Sequence, residues 1–189
     1  VPASQVPALL PALRVISDHW LAAKSVAEKG FSLGRFDERY LARFPCAVVS
    51  VGEQPVAFAN LWIGGDRQEI SIDLMRYDDR APKGVMDYLL IELMLWGSQQ
   101  GHAWFNLGMA PLSGLADREF SPLWNRVGAF VFRHGEHFYN FEGLREYKEK
   151  FNPVWRPRYL ATTGRGALPR VVMDLTSLIA GSSRRIVMR

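Results

Sequence analysis

The run from Gly84 to Gln100 sets the tightest limit on how this chain folds. Val85, Met86, Tyr88, Leu89, Leu90, Ile91, Leu93, Met94, Leu95 and Trp96 make it apolar nearly all round. A helix without a polar face needs cover on more than one side, so the run reads as a buried central helix. Gly101 ends it.

Three strands are expected before it. Cys46 to Val51 is apolar throughout, and Gly52-Glu53-Gln54 forms a turn. In Val56 to Ile63, alternation puts Val56, Phe58, Asn60 and Trp62 on one face and Ala57, Ala59, Leu61 and Ile63 on the other. Asn60, a polar residue on a buried face, reads as structural. Gly64-Gly65-Asp66 is a hairpin turn. Gln68 to Arg76 follows, with Ile70, Ile72 and Leu74 on one face and Glu69, Ser71, Asp73 and Met75 on the other. After the central helix, Ala103 to Leu107 is a further strand.

The flanks are helical. Pro7 to Lys29 repeats Leu10, Leu13, Ile16, Trp20 and Ala23 or Lys24 at helical spacing, with Gly30 as its stop. Its polar face is not strongly basic, which favours packing on a core over lying on a membrane surface. Asp37 to Phe44 is a short helix closed by Pro45. Another lies near Ser121 to Gly128, and the tail from Leu168 through Ala180 is helical before the basic Arg184, Arg185 and Arg189. Helices, a three-strand meander, a central helix, a strand, a helix and a strand make an α/β layout with a mixed, mostly antiparallel sheet.

The segment 138–159 carries the most information per residue. Asn140 can cap a helix beginning near Phe141, and Pro153 lies beyond its end. Leu144, Tyr147, Lys148 and Phe151 share one face at i, i+3, i+4 and i+7. Glu146 and Lys150 are spaced as a surface ion pair. Lys148 is thus the one charge on the apolar stripe, either snorkelling at its edge or aimed into a site. Val154 to Thr162 reads as a strand whose prolines suit an edge. Trp155 and Tyr159 are expected to pack in the core, with an acyl-chain groove as the alternative.

The run Asn140-Phe141-Glu142-Gly143-Leu144-Arg145, then Tyr147-Lys148, Lys150-Phe151, Pro153, Trp155, Pro157 and Tyr159, resembles the end of the catalytic region of the bacterial phosphatidylglycerol aminoacyltransferases. These are the lysyl- or alanyl-phosphatidylglycerol synthases of the multiple peptide resistance factor family. Trp104-Phe105-Asn106-Leu107-Gly108-Met109-Ala110-Pro111-Leu112-Ser113-Gly114 supports the likeness. So do the shorter Phe31-Ser32-Leu33-Gly34-Arg35-Phe36 and Asp73-Leu74-Met75-Arg76. The likeness covers about residues 25 to 162.

The resemblance implies an acetyltransferase-like (GNAT-like) fold, the same order of elements as read above. It implies a single domain over residues 1–189 that forms the second half of a tandem catalytic region. It further implies a preceding acyltransferase-like half and an N-terminal transmembrane region outside this chain. The location implied is the bacterial inner membrane, with the catalytic region on the cytoplasmic side. The chain begins Val1-Pro2-Ala3-Ser4, without an initiator Met or a secretion-signal pattern, and is expected to be a fragment. No apolar run reaches the ~20 residues that span a bilayer.

Composition is that of an ordinary globular protein, with 48% hydrophobic and 22% charged residues. A net charge of +4 suits an anionic partner such as nucleic acid or lipid headgroups, and equally suits a mildly basic soluble protein. The one cysteine, Cys46, excludes a disulfide framework within the chain and reads as a small core residue.

Several positions are candidates for chemistry. Asp73 lies near a strand end, where a carboxylate can act as base toward a hydroxyl, and Arg76 can grip a phosphate; the plain alternative is an ion pair between them. The turn Tyr77-Asp78-Asp79-Arg80-Ala81-Pro82-Lys83-Gly84 precedes a helix N-terminus, where Lys83 and Gly84 can hold phosphate; the alternative is an ordinary helix start with Pro82 near its first position. Coenzyme A-dependent acetyltransferases carry glycine or alanine where Lys83 and Val85 stand, which favours another phosphate-bearing donor such as a tRNA 3′ end. Asn106 ends its strand, placed to bond a donor carbonyl or to cap a loop. Asn125, Arg126 and Tyr147 are further substrate-binding candidates. His134-Gly135-Glu136-His137 lacks metal-ligand spacing, His19 and His102 stand alone, and no metal or cofactor is expected.

The reading that follows is transfer of an alanyl or lysyl group from aminoacyl-tRNA to the glycerol hydroxyl of phosphatidylglycerol. The product has a less negative headgroup and gives resistance to cationic antimicrobial peptides. Asp73 serves as base, Arg76 and Lys148 bind phosphate or the oxyanion, and Asn106 positions the carbonyl. Alternatives on the same fold are a coenzyme A-dependent N-acyltransferase and a tRNA-dependent peptidoglycan aminoacyltransferase. An alternative of another class is a non-catalytic membrane- or tRNA-binding domain. A lysine donor calls for nearby carboxylates such as Glu69, Glu119 or Glu142.

Overall fold

The computed structural model describes residues 1–24, 34–111 and 141–159, with residues 161, 163, 164, 167, 170, 171 and 174 of the tail. The chain groups into two compact units, Val1–Asn106 with Ala161–Arg189, and Leu107–Leu160. The expected helix near Ser121 to Gly128 and nearly all of the tail helix lie outside the described residues.

In the first unit, a short 3₁₀ turn at Ala3–Gln5 leads into α1, Val6–Ala23. Its buried residues Val6, Leu10, Leu13 and Ile16 keep the expected helical spacing, and they pack into a core with Phe58 and Leu74. The helix is therefore a core element. It closes at Ala23 with Lys24 as its cap, earlier than Lys29, and the residues that were to extend it lie outside the described set. α2 is Glu38–Leu41, shorter than Asp37 to Phe44, because Asp37 is its N-cap and its carboxylate takes the Tyr40 N–H at 3.0 Å.

β1 (Cys46–Val51), β2 (Gln54–Ile63) and β3 (Glu69–Tyr77) form an antiparallel meander, and β4 (Trp104–Asn106) adds parallel to β3. The sheet order β1-β2-β3-β4 is mixed and mostly antiparallel, and the fold is GNAT-like, as expected. α3, Val85–Gln99, crosses between β3 and β4. One face of the sheet carries α1. The other carries α3, whose Leu89 and Leu93 meet Ala59 and Leu61.

The burial of α3 is one-sided. Val85, Leu89, Leu90, Leu93 and Gly97 are covered, while Tyr88, Ile91 and Leu95 are 55%, 45% and 53% exposed. Gly97 lets the helix come close to the sheet, since a Cβ there would stand 2.9 Å from Ile70 Cδ1.

The alternation expected along β3 breaks where it matters most. Between the pairs Leu61–Ile72 and Ala59–Met75, β2 contributes Asn60 alone and β3 contributes both Asp73 and Leu74. This is a β-bulge, one residue facing two. Ile72 and Met75 belong to the core under α3, whereas Leu74 joins the core under α1. Asn60 stabilises the bulge: its Oδ1 accepts the Leu74 N–H at 2.7 Å, in the structural role expected of it. Strict alternation places residues 73 and 76 on opposite faces. The bulge brings both to the α1 side.

In the second unit, α4 is Phe141–Glu149. Arg145 and Glu149 pair along the helix at 3.2 Å, and Lys150 lies 4.9 Å over the Tyr147 ring. Residues 153–159 form no regular strand, contrary to expectation; Pro153 and Pro157 lack the N–H groups a ladder needs. Tyr159 is 89% exposed rather than core. Trp155 lies against α4, with its indole N–H on Glu149 at 2.9 Å and its ring under Arg145 at 5.0 Å.

Candidate active site

Asp73 and Arg76 grip the same residue from two sides. Asp73 Oδ1 accepts the Gly34 N–H at 2.6 Å, and the Gly34 carbonyl accepts from Arg76 Nη2 at 3.2 Å. Gly34 has φ +80°, a left-handed conformation that favours glycine. The bulge makes this shared grip possible.

Arg76 is only 3% exposed. Its guanidinium also donates to Ser17 Oγ at 3.1 Å and stacks on the Trp20 ring at 4.6 Å. These contacts tie α1, β3 and the residue 34 loop together. Arg76 is thus a buried cation facing the same side of the sheet as the Asp73 carboxylate. Asp73 is half-buried; burial first, and the Asp73 carboxylate second, push the Tyr40 phenol up to about 12. Tyr40 in turn accepts from Trp62 Nε1 at 2.8 Å.

The turn from Tyr77 to Gly84 is organised by Asp78. Its carboxylate takes Arg80 Nε and Nη2, both at 2.7 Å, and meets His19 Nδ1 at 2.8 Å. Arg80 above all, against the cost of burial, holds the Asp78 carboxyl well below the usual carboxylate range. His19, Asp78 and Asp79 have ligand atoms within 4.8 Å of one another. The Arg80 cation already occupies that cluster, which makes it a charge-compensated turn linking α1 to the start of α3. His19 is therefore not the isolated histidine expected.

Gly84 caps α3 with φ +82°, and Lys83 beside it is exposed. Pro82 stands before the helix rather than at its first position, with its carbonyl accepting the Val85 N–H at 3.1 Å. Asp87 occupies the first turn. A carboxylate there competes with a phosphate for the positive end of the helix.

Asn106 ends β4, and its side-chain N–H donates to Glu69 Oε1 at 2.9 Å. Glu69, one of the carboxylates named for a lysine donor, is engaged with that amide. A hollow of about 150 Å³ lies nearby, between the end of α3 and the starts of β3 and β4, lined by Ile70, Gly97, His102 and Phe105. None of the proposed catalytic residues lines it.

In the second unit, Lys148 turns inward instead of snorkelling. It is 8% exposed, and its Nζ donates to the Met109 carbonyl at 2.7 Å. Gly108, at φ +77°, passes so close that a Cβ would stand 3.6 Å from that Nζ. Burial lowers the Lys148 amine to about 8. Tyr147 on the same helix packs edge-on to Phe151 at 5.8 Å. Asn125, Arg126 and the 134–137 segment lie outside the described residues, as do Asn140 and Glu119.

Burial pushes the Cys46 thiol up to about 12. A thiol that stays protonated is a poor nucleophile, consistent with its core role.

Sequence reasoning did not assign roles to Gly34, Tyr40, Ser17 and Trp20. Gly34 carried a signal within the block 31–36. Trp20 showed only as a member of the helical repeat of α1, and Ser17 and Tyr40 carried no signal.

The family model for the C-terminal region of phosphatidylglycerol lysyltransferase matches residues 1–162. The chain belongs to this family. It is 43% identical over 180 residues to a phosphatidylglycerol lysyltransferase of Bacillus subtilis (strain 168), covering 94% of this chain and 21% of that protein. It is 42% identical over 149 residues to that of Staphylococcus xylosus, covering 78% of this chain and 18% of that protein. The chain thus spans about a fifth of the length of these relatives. Among solved structures, the C-terminal domain of a putative lysylphosphatidylglycerol synthetase from Agrobacterium fabrum superposes with a TM-score of 0.81 at 43% identity, over 97% of this chain and 55% of that one. L-PGS from Bacillus licheniformis superposes with a TM-score of 0.76 at 45% identity, over 93% and 53%. No helix among the described residues is long and apolar enough to cross a membrane.

Proposed function

We propose that this chain is the terminal part of an enzyme that transfers an aminoacyl group, lysyl or alanyl, from aminoacyl-tRNA to the glycerol hydroxyl of phosphatidylglycerol. The observation that carries this reading is the family match over residues 1–162. The site geometry fits it. The donor ester is already activated, so the protein has to position two substrates and assist one proton transfer. The lipid hydroxyl oxygen attacks the ester carbonyl carbon, and Asp73 takes the hydroxyl proton. The bond from that carbon to the tRNA ribose oxygen breaks, and the proton passes to the ribose oxygen.

Arg76 holds Asp73 through Gly34 and adds a positive field on the same face of the sheet. Asn106 positions a carbonyl, and Lys83 and Gly84 meet a phosphate at the start of α3. Tyr147, Asn125 and Arg126 are further substrate contacts. From the second unit, Lys148 offers a buried ammonium group to an anionic part of a substrate. Residues 1–189 act as one half of a tandem catalytic region, attached to the bacterial inner membrane and facing the cytoplasm. Its product lowers the negative charge of the bilayer and its attraction for cationic peptides.

The test is a transfer assay on the full-length enzyme with phosphatidylglycerol vesicles. Transfer RNA is charged separately with labelled lysine or alanine. Label passing into the lipid fraction is the expected result, and the productive charge names the donor. Consumption of coenzyme A thioesters with no transfer from either tRNA would overturn the reading.

A further inference from the structure

We propose that Ser17 and Trp20 of α1 are positioning residues: they aim the Arg76 guanidinium at Gly34 and so hold the Asp73 carboxylate in place. The proposal rests on the reading of Asp73 as the group that takes the hydroxyl proton. Contacts run without a gap from the helix to the carboxylate. Arg76 Nη1 donates to Ser17 Oγ at 3.1 Å and lies 3.5 Å from the Ser17 carbonyl oxygen. Arg76 Cζ stands 4.6 Å from the centre of the Trp20 ring. Arg76 Nη2 donates to the Gly34 carbonyl at 3.2 Å, and the Gly34 N–H donates to Asp73 Oδ1 at 2.6 Å.

Leu10, Leu13, Ser17 and Trp20 fall at i, i+3, i+7 and i+10, on one side of α1. Alanine at position 17 would continue the apolar stripe. The hydroxyl there is 1% exposed, and its burial is costly unless it is bonded. Arg76 supplies that bond. A guanidinium is flat and rigid, and its N–H groups leave in fixed directions. Trp20 sets the plane of the group by stacking on it. Ser17 sets its rotation within that plane by holding Nη1. With plane and rotation fixed, the direction of Nη2 is fixed too, and the Gly34 carbonyl lies along it. Gly34 is gripped at both its carbonyl and its N–H, so a tilt of the guanidinium shifts the bond to Asp73. With both ends held, an attacking hydroxyl meets a fixed acceptor rather than a rotating one.

The experiment is a double-mutant cycle on the full-length enzyme, reading kcat, KM and thermal unfolding for Ser17→Ala, Arg76→Lys and the pair. Ser17→Ala removes one oxygen and leaves a strong helix former in its place. It is expected to lower kcat about 5–50-fold with KM for both substrates within about twofold, because the lost interaction acts on the chemical step. Lysine at position 76 has no fork for Ser17 to orient. In the Arg76→Lys background, Ser17→Ala is therefore expected to change kcat by less than about twofold. Trp20→Leu, a second route that leaves Ser17 intact, is expected to lower kcat about 3–10-fold, and Trp20→Phe, which keeps an aromatic face, to recover most of that loss.

Ser17→Ala with wild-type kcat, even if it unfolds at a lower temperature, makes the bond purely structural and overturns the positioning role. An equal loss of kcat in both backgrounds overturns it too. In either case an inactive Asp73→Asn leaves the reading of Asp73 in place, whereas wild-type kcat in Asp73→Asn overturns both. If Ser17→Ala does not fold, the same cycle with Trp20→Leu decides the question by the same outcomes.

Discussion

Lys148 is a buried amine that titrates near 8, well below the ~10.4 of an exposed lysine. The cause is loss of water around the ammonium, partly offset by the Met109 carbonyl at 2.7 Å. Below about 8 both folded and unfolded chains hold the proton, and the cost of burying the charge is fully present. Between about 8 and about 10.4 the unfolded chain binds more protons than the folded one, so stability rises with pH. Lys148→Met removes that slope. Urea unfolding of both proteins from pH 7 to 10 is expected to show wild type gaining on the variant above pH 8. A constant difference would refute a depressed Lys148. The sequence made this residue legible as the one charge on an apolar helical face. It did not say which way the side chain turns, because that depends on Gly108 and Met109 in a loop with no periodicity.

At the scale of elements, the bulge in β3 organises the site. Alternation and turn residues located the four strands of the sheet among the described residues, and the spacing of Leu10, Leu13 and Ile16 located the buried face of α1. They could not locate the bulge, since a two-residue period has no term for an inserted residue. Asn60 was visible as a misplaced polar residue, and the structure explains it: its carbonyl oxygen takes the Leu74 N–H that the bulge leaves without a strand partner. Asn60→Leu keeps the volume and removes the acceptor. It is expected to cost about 1–3 kcal/mol in urea unfolding, for a buried backbone N–H left unsatisfied. It is also expected to lower transfer activity, because Asp73 and Arg76 share a face only while the bulge persists. A variant with wild-type stability would mean that the bulge is held by other contacts. The one-sided burial of α3 was equally hidden: an all-apolar helix looks the same whether this chain covers one side or both.

At the scale of the whole molecule, the chain spans about a fifth of its relatives' length and has a core of its own, so its fold can be argued from its own residues. The sequence resemblance and the family match agree over residues reaching 162. In the proposed aminoacyl transfer, a carboxylate held at a strand bulge takes the proton. Its most direct test is the transfer rate of full-length Asp73→Asn. Asparagine keeps an oxygen to accept the Gly34 N–H, so the bracket around residue 73 survives while the base is lost. kcat is expected to fall about 100-fold or more with thermal unfolding unchanged. A folded Asp73→Asn enzyme that charges phosphatidylglycerol at the wild-type rate would contradict it.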